Sequence, residues 1–202
     1  LETVRQSTLQ LPDGTFHTLS ISGGLAWYPT DSSSLDSLRK YADFAMYQAK
    51  RFHKGELREF DRKLYDQDLF AAQMRQDFHR LVSEELVTYY FQPIFSAETG
   101  EAVAFEALMR VDLPTLRDPE AVLRLAREER CLHEIERITM FRSVRAFLAL
   151  EATDTIPVGR RLFLNSIANQ CLTEEEAQDF LALCGPLAQR IIIEITEEED
   201  LD

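Results

Sequence analysis

Apolar residues recur along this chain with two different periods, and the change from one to the other divides it. From Phe16 to Ala26 apolar positions alternate with polar ones around the Gly23-Gly24 pair, which predicts a strand with a bulge or tight bend. Leu35, Leu38, Ala42, Ala45, Met46 and Ala49 then share one side of a helix. Ser33 and Asp36 offer it a capping box, Lys50, Arg51 and Lys54 load its last turns with positive charge, and Gly55 can end it. Neither glycine nor proline occurs between Gly55 and Pro93. Within that stretch Phe60, Leu64, Ala71, Met74, Phe78, Leu81 and Val82 form one apolar stripe at helical spacing, as a connector between two domains would, or a core helix within one.

Beyond the long helix the pattern changes to strand, strand, helix, helix, strand, helix, strand. Val87–Phe95 and Ala102–Val111 predict strands joined by a Thr99-Gly100 turn, and Asp118-Pro119 predicts a capped helix start. A second amphipathic helix follows over Leu132–Leu148, then a short strand at Arg161–Asn165. Thr173 and Glu176 form a capping box for a helix that Gly185-Pro186 ends, and Arg190–Glu197 reads as the last strand. Strands alternating with helices imply an α/β fold, either a largely parallel sheet or a barrel covered by helices.

Period-two geometry sorts the charged strand residues. Ala104, Glu106, Leu108 and Arg110 share one face, opposite the apolar Val103, Phe105, Ala107, Met109 and Val111. Charges on a buried strand are costly without partners, so a barrel lumen or ligand cleft is implied. Glu194 lies on the polar face of the last strand and Glu197 on the other; Asn165 ends the short strand beside Phe163. Glu106, Asn165 and Glu194 thus stand near three strand ends, an oxygen-donor set suited to Mg²⁺, Mn²⁺ or Ca²⁺. Buried ion pairs, such as Glu106 with Arg110, explain the same charges without a metal.

Composition narrows the function classes. Of 202 residues, 35 are acidic and 22 basic, for a formal net charge of −13, so phosphate backbone is not attracted non-specifically and a DNA or RNA duplex is not an expected partner. No apolar run approaches the length of a membrane span. Cys131, Cys171 and Cys184 are an odd number without paired spacing, which points to a reducing compartment and a cytoplasmic location. Cys131 and His133 lie close together but have no second ligand pair to complete a zinc site.

Several segments together resemble one family. Phe91-Gln92-Pro93-Ile94, Phe105-Glu106-Ala107-Leu108-Met109-Arg110, Leu162-Phe163-Leu164-Asn165-Ser166 and Glu194-Ile195-Thr196-Glu197 follow the order and rough spacing of the EAL domain, the bacterial cyclic di-GMP phosphodiesterase family. Ser20–Ala26 and Ala42–Lys50 resemble the late strand and C-terminal helix of a GGDEF domain. The resemblance implies three parts: residues 1–58 as the C-terminal part of a GGDEF-like domain, 59–85 as a helical connector, and 86–202 as the N-terminal half of a TIM-like EAL barrel. Glu106, Asn165 and Glu194 would then be metal ligands, Arg110 and Gln92 would bind the dinucleotide, and Glu197 would brace a loop.

The cofactor so implied is Mg²⁺ or Mn²⁺, with Ca²⁺ as a candidate inhibitor. The reaction that the resemblance implies is two-metal hydrolysis of cyclic di-GMP to pGpG. Ser166 follows Asn165 directly, where the family usually has an intervening apolar residue. A TIM-like barrel typically needs ~250 residues, so this chain is expected to be an inactive fragment of a phosphodiesterase whose upstream part could carry a membrane anchor. A non-catalytic cyclic di-GMP receptor, or a module that dimerises through the EAL domain or the connector helix, is the alternative.

Overall fold

A computed structural model describes residues 8–196, which separate into two compact units divided between Ala71 and Ala72. In the first unit β1 (Thr8–Gln10) pairs antiparallel with β2 (Phe16–Thr18), whereas β3 (Gly23–Leu25) pairs parallel with β4 (Leu57–Glu59). The alternation read across Phe16–Ala26 is therefore two strands in different sheets. Helix α1 (Leu35–Phe52) packs on β3, where Gly24 is required by proximity: a Cβ there would collide with the Ala42 carbonyl and the Met46 amide of α1. Ser34, not Ser33, is the N-cap of α1, and it makes no side-chain cap, so the expected capping box does not form. The Ser32 hydroxyl instead accepts from the Ser34 amide, which keeps the preceding turn closed on itself.

The breaker-free stretch also begins differently from its stripe. Leu57–Glu59 is strand, because it pairs with β3 in a parallel ladder, and helix α2 (Arg62–Glu84) starts after it. Phe60 stacks on Tyr41 with ring centroids 4.2 Å apart, and Tyr65 meets both rings edge-on. Arg62 lies over Tyr41 and donates to its hydroxyl at 2.9 Å. The boundary between the units falls within α2.

The second unit is a four-stranded sheet in chain order: β5 (Thr88–Phe95), β6 (Ala102–Arg110), β7 (Arg161–Ile167) and β8 (Ile191–Thr196). The first pair is an antiparallel hairpin; β6–β7 and β7–β8 are parallel. Helices α3 (Pro119–Glu128), α4 (Leu132–Ala152) and α5 (Glu174–Cys184) supply the connections. Asp118 caps α3 by accepting from the Glu120 amide, and Thr173 and Glu176 form the capping box of α5 as their spacing predicts. The bond from the Thr173 amide, with those from the Thr173 hydroxyl and from His133, holds the Glu176 carboxyl below its ordinary pKa.

The core lies between the sheet and α4. Phe147 is fully buried, with its ring 5.4 Å from that of Phe91 and 6.2 Å from that of Phe105. Leu162 and Leu164 of β7 are equally buried. Helix α4 is buried nearly all round, as a helix enclosed by other elements must be. At its C-terminal end Arg190 makes a bidentate pair with Glu151, at 2.7 and 3.1 Å, and also donates to the Arg160 carbonyl. That network ties α4 to the residues just before β7 and β8.

The loop leaving β6 is pinned by Asp77 of α2, whose Oδ2 accepts from both the hydroxyl and the amide of Thr115, at 2.7 and 3.0 Å. The Thr115 hydroxyl, then its amide, hold the Asp77 carboxyl below its ordinary value of 3.8. A folded pKa below the unfolded one stabilises above 3.8 and ceases to do so as pH falls through the lower folded value. Urea midpoints measured at about pH 5 and about pH 3 should therefore fall more steeply in the native protein than in Asp77→Asn. Equal slopes would remove Asp77 from the acid response.

Candidate functional site

The site begins with strand alternation. Phe105 and Ala107 of β6, with Leu162 and Leu164 of β7, turn toward α4, so the intervening residues occupy the opposite face of the sheet. Gln92 stands directly across the hairpin from Glu106, and Asn165 directly across the parallel ladder from Glu194. Arg110 is opposite Thr88, four residues further along β6 and on the same face as Glu106. Five residues named from the sequence, contributed by four strands, therefore share one sheet face.

Glu106 and Asn165 are brought into contact, although 59 residues separate them: the Asn165 amide donates through Nδ2 to Glu106 Oε1 at 2.9 Å. Both are half-buried, while Gln92, Arg110 and Glu194 are exposed. Arg110 does not pair with Glu106. Its guanidinium donates to the Met109 carbonyl at 2.7 Å and lies over the Tyr90 ring, 5.2 Å from the centroid. This leaves most of its donor fork facing outward, an arrangement suited to a phosphate. Glu197 lies outside the described residues.

The donor set matches a hard cation in kind: with Nδ2 bonded to Glu106 Oε1, Asn165 still offers its carbonyl oxygen, beside carboxylate oxygens from Glu106 and Glu194. Among the described residues no group of three or more His, Cys, Asp or Glu side chains comes together. The oxygen set here is two carboxylates and one amide. Cys131 and His133 do not form a metal pair; His133 is 3.0 Å from Glu176 instead.

Beside these residues lies a cavity of about 270 Å³, lined in part by Leu108, Arg110, Asn165, Ser166, Glu136 and Tyr89. Burial pushes the Tyr89 phenol well above its ordinary pKa. Glu136 is the residue that strand reasoning does not find. It sits on α4, only 2 % exposed, and its two oxygens accept from the Ser166 hydroxyl at 2.6 Å and the Ile167 amide at 3.0 Å. A helical signal for it exists: Met140, Ser143 and Phe147, at four, seven and eleven residues on, are all buried, so an acid stands on a core-facing stripe.

Residues 75–202 match the family model of the EAL domain, well over half of the chain, and the chain belongs to that family. An uncharacterised signalling protein of Caulobacter vibrioides is 31% identical over 103 residues, covering 51% of this chain and 13% of that protein. The biofilm architecture maintenance protein MbaA of Vibrio cholerae is 27% identical over 154 residues, covering 73% of this chain and 19% of MbaA. The chain thus spans less than a fifth of each of these curated relatives.

Among solved structures, the FimX EAL domain of Xanthomonas citri in complex with c-diGMP superposes with a TM-score of 0.52 at 15% identity, over 66% of this chain and 52% of that one. The PaMucR phosphodiesterase in its c-di-GMP complex gives 0.50 at 19% identity, over 62% of this chain and 52% of that one. At such identities these likenesses speak to the fold, a mixed α/β arrangement of EAL type. Among the described residues no helix is long and apolar enough to cross a membrane.

Proposed function

We propose that the full-length protein is a cytoplasmic, divalent-metal-dependent phosphodiesterase that hydrolyses cyclic di-GMP to pGpG, and that this chain carries one wall of its site. The observation that carries the reading is the convergence of Gln92, Glu106, Arg110, Asn165 and Glu194 on one sheet face, with Glu106 and Asn165 in contact. Membership of the EAL family and fold neighbours solved with c-di-GMP support the ligand.

In this reading Glu106, Asn165 and Glu194 hold Mg²⁺ or Mn²⁺, which when bound lowers the pKa of water and neutralises phosphodiester charge. Arg110 binds a phosphate of the dinucleotide through its guanidinium fork, kept near the sheet by Tyr90. Gln92, opposite Glu106, offers the ligand an uncharged donor and acceptor. Residues 86–202 form the first half of a TIM-like barrel, residues 59–85 a connector, and residues 1–58 the end of a GGDEF-like domain. The short β3–β4 ladder against α1 is consistent with that last part.

The test is incubation of the full-length protein with cyclic di-GMP and Mg²⁺ or Mn²⁺, with products separated by chromatography and a chelator as control. Appearance of pGpG that the chelator abolishes is the expected outcome. Tight binding without turnover would replace the enzyme by a receptor, and absence of both would overturn the reading.

A further inference from the structure

We infer that Glu136 is the positioning residue for Asn165, acting through Ser166 and the Ile167 amide from the far side of the sheet. This rests on the metal-binding role proposed above for Asn165. The two donors are the residues that immediately follow Asn165, and each bonds a different oxygen of one carboxylate. Because strand side chains alternate, Ser166 points to α4 while Asn165 points to the open face. The clamp therefore holds the end of β7 without occupying the face on which Glu106, Asn165 and Glu194 meet.

Position and chemistry both favour a holding role. Glu136 and Glu151 lie on the same helix, fifteen residues apart, a rise of about 22 Å. The seven residues of β7 span about 20 Å. Glu151 serves the N-terminal end of β7 through Arg190 and the Arg160 carbonyl, and Glu136 the C-terminal end, so α4 grips the strand at both ends. A polar group this buried is costly unless its atoms are partnered, and here one carboxylate oxygen accepts from a hydroxyl and the other from a backbone amide. The placement of Ser166 directly after Asn165 acquires a reason: the hydroxyl must fall on the helix-facing side of β7 to reach Glu136.

Positioning of this kind is read in metal affinity. In the full-length protein, Mn²⁺ binding followed by electron paramagnetic resonance should weaken about tenfold in Ser166→Ala and in Glu136→Gln, as loss of a partner behind a metal ligand commonly does. Glu136→Gln preserves volume but must turn an N–H toward one of the two donors. Ser166→Thr, which restores the hydroxyl, should recover affinity to within about threefold. Circular dichroism at the titration temperature establishes that each variant is folded.

Asn165→Ala separates the two ideas. If it loses Mn²⁺ while either Ser166→Ala or Glu136→Gln binds it as the native protein does, the positioning role is overturned and the site stands. If Asn165→Ala itself binds Mn²⁺ normally, the metal site and the positioning role fall together.

Discussion

Glu106→Ala in the full-length protein should lower kcat/KM for cyclic di-GMP by about 100-fold or more, since even partners one step behind a metal ligand are worth 10–100-fold. The fold should survive the change. Glu106 is half-buried on the open sheet face, and what it leaves behind is one Asn165 amide donor that water can reach. A solvated orphan of that kind costs about 1 kcal/mol.

Glu106→Gln sharpens the result, because its Oε1 can still accept from Asn165 while its charge is gone. Activity lost in both variants with little change in melting temperature would assign the charge, not the hydrogen bond, to function. Hydrolysis by Glu106→Gln within about threefold of the native rate would remove Glu106 from the metal site.

The second large effect concerns stability and involves no site residue. Phe147→Ala should destabilise the second unit by about 3–5 kcal/mol, the range for a buried aromatic replaced by a methyl group. Phe147 is fully buried and meets two rings on adjacent strands, Phe91 on β5 and Phe105 on β6, so its removal opens a cavity beneath the hairpin that carries Gln92 and Glu106. The neighbours cannot collapse into that space without moving the strands. The melting transition should shift down by about 10–20 °C. Phe147→Leu, which refills part of the volume, should recover most of the shift. A melting curve for Phe147→Ala that overlays the native one would mean that this contact is not part of the cooperative core.

Local physics made much of the second unit readable before any tertiary contact was considered. The alternation in Ala102–Arg110 assigned Glu106 and Arg110 to one face because strand side chains invert at every residue, whatever the partner strand is. Thr173 with Glu176 and Asp118 with Pro119 announced their helix starts because the capping donors lie within three residues. The breaker-free run announced a long helix, but the same logic failed at its beginning. Leu57–Glu59 is strand because of β3, more than thirty residues upstream, and no local preference records that pairing.

What remained belonged to contacts distant in sequence. Strand order and register decide that Gln92 faces Glu106 and that Glu194 faces Asn165, and neither follows from the period of a single strand. The bond between Asn165 and Glu106 spans 59 residues, and the one between Glu136 and Ser166 spans 30. Glu136 shares a helical stripe with Met140, Ser143 and Phe147, but that it meets Ser166 follows only from how α4 packs on the sheet. Residue type and periodicity therefore determined which groups could meet. Packing of α4 against the sheet, which sets burial and aligns the strands, determined which of them do.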